Sequence, residues 1–271
     1  MQMKLSIVLS TQPAQFQAAT FKGDLETNLA RIAALGYDGV ELAIRDPRLV
    51  DLNDLERLVQ KHNLIVPAIG TGQAWGEEGL SFTDPDPAIR HAAIERIKSH
   101  MPVAARFKAM IIVGLVRGTV KPGVESAQAM DWLIKALRAC SEAARPHGLR
   151  LALEPINRYE TTLINTAAQG LELIERVGVD NFGLLLDTFH MNIEEPKIED
   201  SIKQTGERIF HFHVADSNRW YPGAGHLDFK AILETLKSTS YAGWISGEFL
   251  PKPDSDTAAQ RNFEHLKQFL G

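Results

Sequence analysis

The sequence predicts an α/β chain folded as one (β/α)8 barrel, a TIM barrel. Three observations carry that prediction. Eight short runs rich in Ile, Val, Leu and Phe recur along the chain. Segments with helical apolar spacing fill most of the intervals between them. The loop after the first run reads STQPAQFQ and lacks the glycine-rich phosphate fingerprint of an open doubly wound sheet. Alternating strands and helices imply a parallel sheet with crossover helices, and eight such units close into a barrel.

The eight runs are Leu5–Ser10, Gly39–Ile44, Ile65–Gly70, Met110–Leu115, Arg150–Pro155, Phe182–Asp187, Ile209–Ala215 and Trp244–Leu250. Each is too short for a typical helix and suits a buried strand. Between the first two, residues 24–35 place Leu25, Leu29, Ile32 and Leu35 on one helical face. Residues 51–62 do the same with Leu52, Leu55, Leu58 and Val59. Residues 126–144 form a long Ala-rich helix with Met130, Leu133, Ile134, Leu137 and Cys140 inward, and residues 228–236 repeat the pattern. Gly or Asn often separates helix from strand, as in LGYDGVEL, HGLRLALE, VDNFGLLLD and YAGWISGE. A glycine there can take the left-handed conformation that ends a helix. No Ser/Gly-rich linker, low-complexity tract or charge block divides the 271 residues, so residues 1–271 read as one domain.

Composition narrows the function. A net charge of -5 gives no broad basic surface, so nucleic acid is not an expected partner. Cys140 is the only cysteine, which excludes an internal disulfide and a cysteine metal cluster. It reads as a buried thiol. The apolar stretch Leu5–Leu9 is too short to span a membrane and has no signal-peptide pattern, so a cytoplasmic protein with no membrane partner is expected.

In a barrel of this kind, strand C-termini share one mouth. Strands five to eight bring Glu154, Asp187, His213 and Glu248 there. In FHFHVAD, alternation points His211 and His213 into the lumen and Phe210, Phe212 and Val214 outward. His213 lies nearer the mouth and is the expected ligand, with His211 packed behind it. Three carboxylates and an imidazole form a hard ligand set without sulfur. They suit one divalent cation, Mn²⁺ first, with Mg²⁺ or Co²⁺ as alternatives. Ideal barrel dimensions leave about 6 Å between glutamates reaching in from strands five and eight, room for a cation and one sugar carbon. Such a cation stabilises charge on an enediolate while one glutamate removes a proton and the other returns one on the opposite face. An acid at a strand end is also a common helix cap.

The segments EPINRYE at Glu154–Glu160, LDTFHMNIEE at Leu186–Glu195, HFHVADSNRWYPGAGHLDF at His211–Phe229 and the strand ending in Glu248 resemble the xylose-isomerase-like barrels, and within them the ketose 3-epimerases. That resemblance implies that Glu154, Asp187, His213 and Glu248 bind the metal and that Glu154 and Glu248 are also the acid/base pair. It implies substrate contacts for Glu160, His190 and Arg219. FKGDL, ELAIRDP, AIGTGQAW and VGLVRG are most similar to the enzymes that epimerise 5-keto-L-gluconate to D-tagaturonate. The loop after the first strand carries only Phe16 where the neutral-sugar epimerases are rich in aromatics. The substrate so implied is a small keto-sugar or keto-sugar acid. A ketose 3-epimerase acting on neutral sugars of the D-tagatose or L-ribulose type, and a hydroxypyruvate-type isomerase, use the same machinery.

Arg45, Arg117, Arg158 and Arg219 each fall just past a strand end. Guanidinium groups suit a bidentate grip on a carboxylate, so Arg117 and Arg158 join Arg219 as candidate substrate contacts, unless they pair with glutamates of the same mouth. Gln73 and Trp75, after the third strand, are candidate pocket residues. The turn at residues 223–226 is too short for a phosphate cradle. The long helix at residues 126–144 offers a face for a homodimer or homotetramer.

Overall fold

Apolar strands that are buried on both faces need helices outside and a filled lumen inside, and the chain builds both. A computed structural model describes residues 3–270. Eight parallel strands form the wall: Lys4–Ser10, Glu41–Ala43, Ala68–Gly70, Met110–Val113, Leu151–Leu153, Phe182–Asp187, Ile209–Val214 and Trp244–Gly247. Each pairs with the next, and the first pairs with the eighth, Lys4 to Trp244 through Ile7 to Gly247. The barrel is therefore closed and has no free edge. A two-residue strand, Phe21–Lys22, pairs in parallel beside the mouth end of the first strand, at Leu9 and Ser10. Six of the eight strands are shorter than the sequence runs, Phe182–Asp187 matches its run and the first starts one residue earlier; Glu154 and Glu248 stand one residue beyond their strands.

The helices expected from apolar spacing form at Leu25–Ala34, Leu52–Lys61, Ser126–Ala144 and Phe229–Ser238. Aspartates cap three of them: Asp24 accepts from the amide of Thr27, Asp51 from those of Asn53 and Asp54, and Asp228 from that of Ala231. Helix Ala167–Val177 starts with a reciprocal capping box between Thr166 and Gln169 and ends at Gly178, which is left-handed at φ 69°. Further helices occupy Gln73–Glu78, Pro87–Ser99, Met101–Phe107, Thr188–Glu194, Ile198–Thr205 and Ser255–Leu270.

Strand alternation separates two apolar layers. Ile111, Val113, Leu151, Leu153, Leu184 and Leu186 join the large outer core beneath the helices. Ala68, Met110, Ile112, Ala152 and Leu185 form an inner cluster, with Phe210 packed on it. Phe210 was expected outside. The pairing between strands six and seven skips one residue there, from Leu184–Ile209 to Leu185–His211, and this irregularity turns Phe210 onto the inner cluster. Phe212 and Val214 do belong to the outer core. Cys140 is buried, as expected. Among the described residues no helix is long and apolar enough to cross a membrane.

Candidate active site and metal centre

The barrel mouth collects the four predicted ligands. One atom from each of Glu154, Asp187, His213 and Glu248 lies within 4.8 Å of the others. Nδ1 of His213 is 3.8 Å from Oδ2 of Asp187 and 3.9 Å from both Oε1 of Glu154 and Oε2 of Glu248. These separations are too long for hydrogen bonds but shorter than two metal–ligand bonds of about 2.1 Å laid end to end, so one ion can touch both partners of each pair. The facing atoms of Glu154 and Glu248, within 4.8 Å of each other, are also closer than the gap of about 6 Å expected from ideal barrel dimensions. Nδ1 of His213 and Oε1 of Glu154 are buried without a hydrogen-bond partner among the described residues. Buried polar atoms are rarely left so, and these two share one focus. Oxygen donors with one nitrogen fit a hard divalent cation.

Asp187 does two jobs. Oδ1 accepts from the amides of Phe189 and His190 and so caps helix Thr188–Glu194, while Oδ2 turns toward His213. The oxygen that caps the helix and the one that faces the cluster are thus different atoms.

The other face of His213 meets a residue that the sequence reading did not single out. Nε2 donates to Glu41, at 3.0 Å from Oε2 and 3.1 Å from Oε1. Nε2 of His211 donates to the same Oε2 at 2.8 Å. His211 thus stands behind His213, as expected. The signal for Glu41 was a charge at an inward position of GVELAI, where Val40, Leu42 and Ile44 take the outward ones.

Burial, followed by repulsion from Glu248, pushes the Glu154 carboxyl well above the usual carboxylate range. Burial likewise lifts Glu248 to about 7, against the pull of His213. Asp187 is raised for the same first reason. Burial opposes a charged His213, but Glu41 and Glu248 outweigh it, so without a cation Nδ1 also holds a proton, one that a cation would displace. Buried acids crowded around one imidazole form a cluster that a divalent cation could occupy.

A cavity of about 240 Å³ opens over this cluster. That is slightly below the usual range for drug-sized ligands, about 300–1,000 Å³, and suits a monosaccharide-sized one. Glu160, His190, Arg219, Gln73 and Trp75 all line it. Arg219 donates to Glu160 at 3.0 Å and lies 3.9 Å from Glu248. Its guanidinium stacks 4.8 Å from the Phe189 ring and 5.7 Å from that of Phe16. Asn157 bridges Glu160 and His190, with Nδ2 at 2.8 Å from each. The amide N–H makes Nδ1 of His190 an acceptor, so the ring proton sits on Nε2, 3.7 Å from Glu154. Burial first, then the cations Arg219 and Arg117, keep His190 neutral. Gln73 donates to Ser10 at 2.8 Å and leaves its buried carbonyl oxygen without a donor among the described residues.

Two proposed contacts lie off the cavity wall. Arg117 is fully buried, and its guanidinium is spent on main-chain carbonyls: Gly114 at 3.1 Å, Ile164 at 3.1 Å, Leu163 at 3.4 Å and Glu154. Arg158 is exposed and forks onto Glu194 at 2.8–3.1 Å. Arg45 lies 3.5 Å from Glu78. Of the four arginines, only Arg219 reaches the cavity.

Comparison with known proteins agrees with this architecture. Residues 29–269 match the family described as xylose isomerase-like TIM barrel. The chain is 32% identical to the L-ribulose 3-epimerase of Mesorhizobium japonicum over 94% of its own length and 90% of that protein's. It is 29% identical to the D-psicose 3-epimerase of Agrobacterium fabrum, covering 80% of this chain and 76% of the relative. The crystal structure of D-allulose 3-epimerase from Methylomonas sp. in complex with D-allulose superposes with a TM-score of 0.85 at 26% identity, covering 99% of this chain and 97% of that one. The chain belongs to the xylose isomerase-like TIM barrel family, with ketose 3-epimerases among its homologues.

Proposed function

We propose that this protein is an isomerase, a divalent-metal-dependent epimerase of keto-sugars that inverts a hydroxyl-bearing carbon beside a carbonyl. The observation that carries the reading is the convergence of Glu154 and Glu248, from strands five and eight, on one point beside Nδ1 of His213. Glu154, Asp187, Glu248 and His213 would hold the cation, with Mn²⁺ the best match to the donor set. When bound, the cation supplies Lewis-acid polarisation of the substrate carbonyl and charge stabilisation beside it.

The chain's own residues move the proton. One glutamate takes it from the carbon, and the other delivers one to the opposite face. His190 is neutral with its proton on Nε2, so it can donate to a substrate oxygen. Arg219, steadied by Glu160, presents N–H groups to the sugar. Phe16, Trp75 and Ile156 on the cavity wall limit water around the reacting carbon.

For the substrate we infer 5-keto-L-gluconate, converted to D-tagaturonate. The first-half segments FKGDL, ELAIRDP, AIGTGQAW and VGLVRG and the guanidinium of Arg219 support it. Neutral ketoses are the second reading, favoured because Arg45, Arg117 and Arg158 turn elsewhere and because relatives are named for L-ribulose and D-psicose. The test is NMR product analysis in deuterated water with Mn²⁺-loaded protein, comparing 5-keto-L-gluconate, L-ribulose and D-psicose. The expected result is deuterium at one inverted secondary-alcohol carbon, fastest with the keto-acid. An aldehyde product would mean an aldose–ketose isomerase instead, and no exchange on any of the three would overturn the reading.

A further inference from the structure

Glu41 is nearly inaccessible, at 1% exposure, inside a barrel whose walls are otherwise mostly apolar at its level. An isolated buried carboxylate is costly, so its partners indicate what it is for. Among the described residues it has two, both imidazoles, and both approach through Nε2: His211 at 2.8 Å and His213 at 3.0 Å. An ionised carboxylate only accepts hydrogen bonds, so each imidazole must carry a proton on Nε2. For His213 the consequence is specific. With Nε2 protonated, the remaining lone pair of the neutral ring is on Nδ1. That is the atom without a partner, 3.8–3.9 Å from Asp187, Glu154 and Glu248. His211 does not reach those three acids. Its ring lies edge-on to His213, with centroids 5.3 Å apart, and its second bond fixes the position of the Glu41 carboxylate.

We propose that Glu41 is a positioning residue for the cation: it holds the His213 proton on Nε2 and the ring at the angle that presents Nδ1 as a ligand, with His211 anchoring Glu41 from below. This rests on reading the four-residue cluster as a cation site. The geometry has the form of a carboxylate–imidazole–metal relay, in which the outer carboxylate sets tautomer and ring orientation. A packing role alone would make the loss of Glu41 cost stability and leave cation affinity untouched.

The test combines two measurements. Mn²⁺ is titrated into wild type, Glu41→Gln and Glu41→Asp, with free Mn²⁺ followed by its paramagnetic resonance signal. In glutamine one arm becomes an NH₂ donor that faces the His213 N–H and the negative charge is lost, so E41Q should bind Mn²⁺ about 10–100-fold more weakly. Glu41→Asp keeps the charge and should recover part of that loss. The second measurement needs no variant. In Mg²⁺-loaded protein labelled with ¹⁵N-histidine, His213 should show a hydrogen-bonded proton on Nε2 and none on Nδ1. If wild type binds no Mn²⁺, the cation site itself falls and this proposal with it. If wild type binds and E41Q binds within about twofold of it, the Glu41 role alone falls. A His213 proton found on Nδ1 overturns the proposal however the variants fold.

Discussion

Arg117 and Arg158 show how one residue type, at similar places in the chain, ends in opposite circumstances. Arg117 spends its guanidinium N–H groups on four carbonyls: those of Gly114 and Glu154, just past strands four and five, and those of Leu163 and Ile164 in the loop after strand five. Its charge lies close to Glu154 and Glu160 and partly balances the acid cluster. Replacing it with methionine strands buried carbonyls and should cost about 2–5 kcal/mol, read by chemical denaturation. Arg158 is exposed and pairs with one glutamate, so Arg158→Ala should leave both stability and turnover unchanged. At the acid/base pair, Glu154→Gln or Glu248→Gln should lower kcat by at least about 10²–10⁴-fold and abolish deuterium exchange beside the carbonyl. Wild-type-like exchange in both variants would remove them from the mechanism.

At the scale of elements, the sequence reading located every barrel strand because each is a short apolar run between turn residues. It overran most of their ends because the last residues of those runs have already turned into the loops above the barrel. The four clustered residues at the mouth were legible for the same reason: they are titratable groups at the ends of apolar strands. Glu41 escaped because it lies within a strand, where its two neighbours are apolar. The arginines misled because position past a strand end does not reveal where a long side chain turns. The skipped residue opposite Leu184–Leu185 was equally invisible, since a register shift depends on the partner strand. Its consequence is testable. A Cβ on Gly183 would stand 2.7 Å from the Phe210 ring. Gly183→Val should therefore destabilise the protein by about 1–3 kcal/mol, and Phe210→Leu should relieve part of that cost. Additive effects in thermal melts of the double variant would show that the two do not meet.

For the whole molecule, fold and site oppose each other. Closing the barrel brings three carboxylates together at the mouth, and burial raises all three. Take Glu248, whose folded-state value of about 7 exceeds its ordinary value of 4.5. Its contribution to stability is full below the ordinary value and is lost as pH rises through about 7. Without a cation, stability should therefore fall between mildly acidic and mildly alkaline pH. Added Mn²⁺ competes with those protons, so its increase in Tm should be larger at the alkaline end. An equal or smaller increase there would mean that the ion binds elsewhere. The central claim is that one cation is held between strands five and eight, and anomalous diffraction from Mn²⁺-soaked crystals tests it most directly. The account predicts one peak per chain, at bonding distance from Nδ1 of His213 and from oxygens of Glu154, Asp187 and Glu248. A peak elsewhere, or none with all four side chains ordered, would contradict it.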